Sequence, residues 1–465
     1  MFLSYFFSIW LILVLLMSFY RLKWGLVLFL AYMVLVPEVR FQLGSFRLGQ
    51  NLFTTVFLLS FVLYASRTHM RIHWRPLIPF LIFFGVWLVM MPFQPIPAGW
   101  MINMWRVNAM GTLILPFVMY NVMVEDPSSI RLFRNTMLVC VVIAIGYGLV
   151  LTRMGGENPY QLLCSFVFTT DQPGQDMESY YAAEGGGRLF GRISSVYRHP
   201  MGFALFIGLS LIYIYSLQKY LGRWRFLLLF IAIAVMTIAC GVRSVLGGLV
   251  VALAFYLFVR RSFKLLVAVC ALYFIGAIVF KQMPEVASYV GSIADIHNKQ
   301  QAVSGSSIDL RLEQLEGALK EASKSPIWGL GYEWTSYYKS IRGDHPICLA
   351  FESLVYVAVC NGALVGCLLW IYLIIAVMVN NVRLTNDSAL LNAALVFWIA
   401  YACITGEYSY MKTFLIFYVL MLGEHLLKAY EAQATEAAEE PLEQTDDALP
   451  EASDQQPQIF FDPQS

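Results

Sequence analysis

Residues 198–219 read RHPMGFALFIGLSLIYIYSLQK. Arg198 and His199 stand at one end and Lys219 at the other, with no charge between Pro200 and Leu217. A helix over that interval is about 27 Å long, close to the ~30 Å hydrocarbon thickness of a bilayer. The stretch therefore reads as a membrane span with cationic, ionisable chemistry at its lip. The same pattern recurs near 3–20, 24–37, 50–65, 76–93, 100–123, 135–152, 225–241, 244–259, 264–280, 348–379, 388–404 and 412–427. The chain is 59% hydrophobic and only 13% charged, more apolar than any soluble core requires. The expectation is an all-α polytopic membrane protein with about 12–14 transmembrane helices. The first segment has no basic leader and no small-residue cleavage site, so it reads as a retained span. The run 348–379 is too long for one upright span and reads as a short helix followed by a span.

Basic loops give the orientation. With the N-terminus outside, 21-RLKW-24, Arg67 to Arg75, Arg131 and Arg134, Lys219 to Arg225, 260-RRSFK-264 and Arg383 all fall on the cytoplasmic side. The opposite short loops, 94–99 and 405–411, are nearly free of Lys and Arg. The organisation that follows is N-terminal spans over 1–152, an outer loop over 153–198, and spans with the Arg243 motif over 199–280. A large, partly helical outer loop then occupies 281–347, C-terminal spans 348–428 and an acidic disordered cytoplasmic tail 429–465. Net charge is +1, but ten of the 30 acidic residues follow Lys428, leaving 31 basic against 20 acidic residues on the body, about +11. A basic body suits anionic lipid or an anionic substrate, besides ordinary anchoring by Lys and Arg. The cysteines lie mostly in apolar runs at no metal or redox spacing and read as packing residues. Cys164 and Cys348, both near outer loops, are the one pair with a case for a disulfide.

The same parity brings polar clusters from distant parts of the chain to one membrane face. Arg192, Arg198 and His199 end the first outer loop, Arg243 sits in the tight turn of CGVRSVLGG, and His345 and Glu352 follow the second loop. Guanidinium groups stay charged and make paired hydrogen bonds to phosphate oxygens, so arginines in one cavity suit a diphosphate. Arg192 and Arg243, beside small residues at span ends, are the first candidates for that role. Arg106 is evenly balanced between this role and a structural one. Arg198 reads first as a residue reaching the headgroups. His345 is a candidate base, and Glu352, inside an apolar stretch, is another. His199, Arg342 and Glu407 are candidate substrate contacts, with His199 also suited to capping the helix begun by Pro200. SSIDLRLEQLEGALKEASKSP places Leu312, Leu315, Leu319 and Ala322 at helical spacing, with Ser306 or Ser307 as cap and Pro326 beyond. It predicts an amphipathic helix lying over the spans. No acidic pair has metal-ligand spacing, and no phosphate-binding loop or nucleotide-sugar domain is in view, so no metal or cofactor is expected and no nucleic acid.

Three motifs carry a family resemblance. RISSVYRHP (192–200) resembles the Arg-x-x-Gly-x-Phe-x-Asn-Pro element of the O-antigen ligase and polymerase family, with Ser195 for the Gly and His199 for the Asn. IACGVRSVLGGLVVAL resembles the family's small-residue–Ser-Arg element, with Val242 where Ser is usual. The stretch from SSIDLRLEQ through GLGYEW to DHPICLAFESLVYVAVCNGALVG is similar to its large loop: a Gly-x-Gly turn, a His, and a helix ending in Gly-x-x-x-Gly. The family's His lies about eleven residues before the glycine matched by Gly362, nearer Glu352 than His345, so both stay candidates for the base. The resemblance implies a C-type glycosyltransferase architecture in the bacterial inner membrane, with its active site facing the periplasm. It implies an undecaprenyl-diphosphate-linked glycan as donor and a metal-independent reaction. The acceptor is a second lipid-linked repeat unit for a polymerase, or lipid A–core for a ligase. The polymerase is preferred on the helix containing Glu352-Ser353 and the displaced His, with a chain-length regulator as a candidate partner beside the membrane lipids. A lipid-linked oligosaccharide flippase is the alternative of another class, although no internal repeat is seen.

Overall fold

The computed structural model describes residues 2–36, 41–43, 46–48, 50–154, 158–160, 193–197, 199–262, 308–349, 351–405 and 410–439. Every apolar segment expected to be a span is a helix, except 264–280, which lies outside the described residues. In chain order these are α1 (Phe2–Tyr20), α2 (Leu22–Leu35), α3 (Gln50–Thr68), α4 (Ile78–Met90), α5 (Ala98–Glu125), α6 (Ser128–Arg153), α7 (Pro200–Ser216), α8 (Arg223–Ala239) and α9 (Arg243–Val259). They continue with α10 (Ile308–Ala322), α11 (Trp334–Arg342), α12 (Leu354–Leu384), α13 (Ala389–Thr405) and α14 (Tyr410–Glu439). A short antiparallel hairpin, Phe41–Leu43 with Phe46–Leu48, links α2 to α3. Among the described residues, five helices are long and apolar enough to cross a membrane, and shorter apolar helices of 10–17 residues accompany them. This is the architecture of a helical membrane protein.

Small residues set the closest approaches, as expected where lipid offers apolar side chains no worse a home than a neighbouring helix. Phe397 of α13 lies between Gly208 of α7 and Gly248 of α9, where added Cβ atoms would come within 2.1 Å and 3.1 Å of its ring. Trp87 of α4 seats its ring on Gly362 of α12, 2.7 Å from a built Cβ.

Helix α12 is two helical halves meeting at Ala363, whose φ of 43° and ψ of −131° are not helical. The break is filled by chain. Leu330 and Gly331 donate their amides to the carbonyls of Cys360 and Asn361 at 2.9 Å and 3.0 Å. Leu364 and Val365 donate to those of Pro326 and Ile327 at 3.2 Å and 3.1 Å. Broken backbone at membrane depth requires such partners, because an unpaired amide has no water to turn to. Gly329 permits the insertion: its φ is +74°, and an added Cβ would lie 2.4 Å from the Asn361 carbonyl oxygen. From the other half of the chain, the Gln94 amide accepts from Tyr332 N at 3.0 Å and donates to the Trp328 carbonyl at 2.8 Å.

The basic loops gather at one end of the bundle. Lys23 pairs with Asp126 at 2.8 Å, Asn380 donates to the Arg75 carbonyl at 2.9 Å, and Arg260 pairs with Asp387. The turns before α7, α9 and α12 lie at the opposite end.

Candidate functional site

The site is built from turns at that opposite end. Cys240–Val242 reverses the chain between α8 and α9, with Gly241 in the left-handed region at φ +71°, where glycine carries no Cβ penalty. Arg243 follows as the first residue of α9 and is half-buried. Ile193 donates its amide to the Cys240 carbonyl at 3.3 Å, tying the ISSVY segment to the Arg243 turn. On its other side, Asn158 donates to the Ser195 carbonyl at 2.7 Å, and Ser195 Oγ donates to the Ala144 carbonyl of α6 at 2.5 Å. Arg192 and Arg198 lie outside the described residues, as does Glu407. His199 caps α7: its Nδ1 accepts from the Met201 amide at 3.1 Å, with Pro200 at the first helical position. Tyr401 of α13 donates to the Met201 carbonyl at 2.7 Å, and its ring centre is 5.5 Å from that of Tyr410.

The segment 343–356 joins the same end. Ser353 caps α12, accepting from Val355 N at 3.2 Å, while its hydroxyl donates to the Cys403 carbonyl of α13 at 2.6 Å. Arg311 of α10 donates to the next carbonyl, Ile404, at 3.0 Å, and Tyr356 Oη donates to the Arg311 carbonyl at 2.8 Å. Glu352, immediately before the cap, is exposed and has no hydrogen bond or ion pair among the described residues.

His345 is buried, its ring centre 5.1 Å from that of Tyr338 and 5.4 Å from that of Phe351. Its backbone pairs with Leu349 in both directions. Its Nδ1 accepts from the Cys348 and Ile347 amides at 2.9 Å and 3.2 Å, so the neutral imidazole carries its proton on Nε2. That nitrogen lies 3.7 Å from Glu321 Oε1 of α10. In this geometry the ring braces a turn and presents a donor. Cys348 is a buried free thiol whose sulfur contacts the Gln314 carbonyl at 3.4 Å, while Cys164 lies outside the described residues. Burial pushes that thiol up to about 11, and Glu321 adds to the shift.

Arg243, His199, His345 and Glu352 thus share one end. Arg106, on an exposed face of α5, donates to Asn103 at 3.0 Å, and no contact among the described residues joins it to Arg243. Arg342 is exposed at the end of α11, its guanidinium 5.6 Å from the Tyr338 ring centre. Two charged residues escaped the motif reading. Glu333, between Tyr332 and Trp334, is only 5% exposed with φ +59°, and its oxygens accept from Asn108 at 3.0 Å and Ser336 at 2.5 Å. Its signal was a carboxylate flanked by aromatics. Lys412, two residues into α14, is largely buried and has no counter-ion among the described residues. Its signal was an isolated cation at the head of an apolar run. Among the described residues no three His, Cys, Asp or Glu side chains gather to hold a metal ion.

Neither a scan of protein-family models nor a search of curated proteins returns a match for this chain.

Proposed function

We propose that the chain is a membrane glycosyltransferase that polymerises undecaprenyl-diphosphate-linked repeat units into a bacterial surface polysaccharide, with the Arg243 end of the bundle facing the periplasm. The observation that supports this reading is that Ile193 bonds to Cys240, while Ser353 and Met201 each bond to α13, so the segments around 193–201, 240–243 and 353, which carry the three motifs, lie at one end of the bundle. Arg243 supplies a fixed cation for the donor diphosphate, with Arg192 and Arg198, which flank the 193–197 segment in sequence, as its proposed partners. A guanidinium placed before the reaction stabilises the charge that grows on the leaving group without reorganising at that moment. The bond from the donor sugar's anomeric carbon to phosphate oxygen breaks, and its electron pair leaves with the diphosphate. The acceptor hydroxyl oxygen bonds to the same carbon and gives up its proton. Glu352, exposed and without a hydrogen bond or ion pair among the described residues, suits that proton better than His345, whose Nδ1 lone pair is already engaged.

Arg243→Lys tests the reading. It keeps the charge and loses the fork, so polymer made by membranes should fall by about 100-fold or more while the protein still inserts. Full-length polymer from both Arg243→Lys and Arg243→Ala would end the clamp. In a deletion strain, single lipid-linked repeat units should accumulate; long lipid-linked polymer would instead mark a ligase. The break at Ala363 favours one reading of another class, since discontinuous helices are a habit of transporters. Purified protein that moved lipid-linked sugar across liposomes without joining units would establish that function in place of polymerisation.

A further inference from the structure

The basic end holds a cavity unconnected with the site above. It encloses about 260 Å³ between α1, α2, α3 and α5. Arg21, Lys23, Arg67, Ser60, Tyr64 and Asp126 line it. The charges do not cancel. Asp126 is committed to Lys23 at 2.8 Å, and it also accepts from the Ser128 hydroxyl at 2.6 Å. Burial raises its carboxyl, but the Lys23 and Ser128 hydrogen bonds outweigh burial and hold it below the ordinary value, so it stays ionised. Arg21 and Arg67 are exposed and form no ion pair among the described residues, and Glu125 at the same helix end pairs with neither. Ser60, 3% exposed, has a hydroxyl with no hydrogen-bond partner among the described residues. The cavity therefore offers two guanidinium groups with no ion-pair partner among the described residues, that of Arg21 lying 5.7 Å from the Tyr20 ring centre, and a buried serine hydroxyl, the donor set that phosphate oxygens take up.

The surroundings decide the source of the phosphate. Beside the mouth, Leu16 is 61% exposed, Phe19 46%, Leu59 52% and Leu63 40%, on the outward faces of α1 and α3. Free phosphate has no use for that apolar margin, whereas a phospholipid would lay its acyl chains along it with its headgroup in the cavity. Basic pockets between spans on the basic side are where anionic headgroups bind. We propose that this cavity binds the phosphate headgroup of an anionic phospholipid through Arg21 and Arg67.

The test uses the full chain in detergent and native mass spectrometry with phosphatidylglycerol, phosphatidylcholine and inorganic phosphate as separate probes. Wild type should retain phosphatidylglycerol in preference to phosphatidylcholine. R21Q/R67Q should weaken that retention by roughly tenfold or more, while R225Q, an exposed cation elsewhere on the same end, should not. Both arginines are exposed, so the core is untouched; R21K/R67K, which keeps charge, should recover part of the binding. Equal retention by wild type and R21Q/R67Q overturns the site. Equal retention of the two lipids by wild type reduces it to surface snorkelling and overturns it too. Saturable binding of inorganic phosphate with no preference among lipids would make it a free-anion site and overturn the lipid assignment.

Discussion

His345 shows how a single side chain reads differently in sequence and in structure. An imidazole at the lip of a membrane run suggests a base, yet its Nδ1 serves two backbone amides and its ring is walled in by Tyr338 and Phe351. The apolar run after it was visible; the turn that folds residues 345–349 back onto the ring was not, because no spacing rule encodes it. Removing the ring should leave the buried Cys348 amide and the partly buried Ile347 amide unpaired. His345→Ala is therefore expected to destabilise the protein by about 1–3 kcal/mol in thermal melts, with His345→Asn recovering part through its side-chain oxygen. Glu352→Gln should leave the melt unchanged and stop polymer formation, the opposite split. Cys348 adds a pH test. Its folded value, about 11, lies above the ordinary 9.0. Stability from the neutral thiol is complete below the unfolded value and is lost as pH rises through the folded one. Melting temperature should fall between about pH 9 and 11, and Cys348→Ala should flatten that slope.

At the scale of elements, α10 forms where the leucine spacing placed it, and Leu315 and Ala322 of the expected stripe turn inward, but the buried face is rotated away from Leu312 and Leu319. Leu312 is 56% exposed and Leu319 54%, while Gln314 and Ala318 are buried. The helix comes close through its small residues: a Cβ on Gly317 would lie 2.7 Å from Ile347 and 3.0 Å from the Cys348 sulfur. Here close packing is set by small residues, so Gly317, Ala318 and Ala322 form the contact while Leu312 and Leu319 share the exposed face with Glu313, Glu316 and Lys320. The break in α12 was foreshadowed by the excess length of the run, yet its filling by residues 326–331 joins segments that no local pattern connects. Two glycines separate its requirements. Gly343 has φ +78° and ψ −154°, a conformation essentially only glycine adopts, with open space around it, so Gly343→Ala should cost about 1–3 kcal/mol of backbone strain. Gly329 adds a collision with the Asn361 carbonyl, and Gly329→Ala should cost more than about 3 kcal/mol or expel the loop, read as lowered melting and new protease cleavage near residue 326.

Across the whole molecule, the alternation of basic and neutral loops was the most legible feature, and the ends of the bundle follow it. It predicts that in intact cells a cysteine at exposed Arg342 is labelled from outside and one at exposed Lys219 only after permeabilisation. Long-range pairing was not legible. Arg134 was read as one basic loop residue among many, but it is buried and bonded at 2.9 Å to Glu424, a carboxylate inside α14, with its guanidinium 3.4 Å from the Tyr220 ring centre. Glu424→Ala strands a buried cation and should cost about 3–5 kcal/mol, whereas Arg134→Met with Glu424→Leu should be close to neutral. The chain threaded through α12 has one more consequence. Leu330, Gly331, Leu364 and Val365 hold their amide protons only while that strand is seated, and the helical turns on either side hold theirs regardless. Deuterium uptake at these four positions would thus time the departure of residues 326–331 from the break, and a ligand that slowed their exchange together would reveal that it fastens the seam.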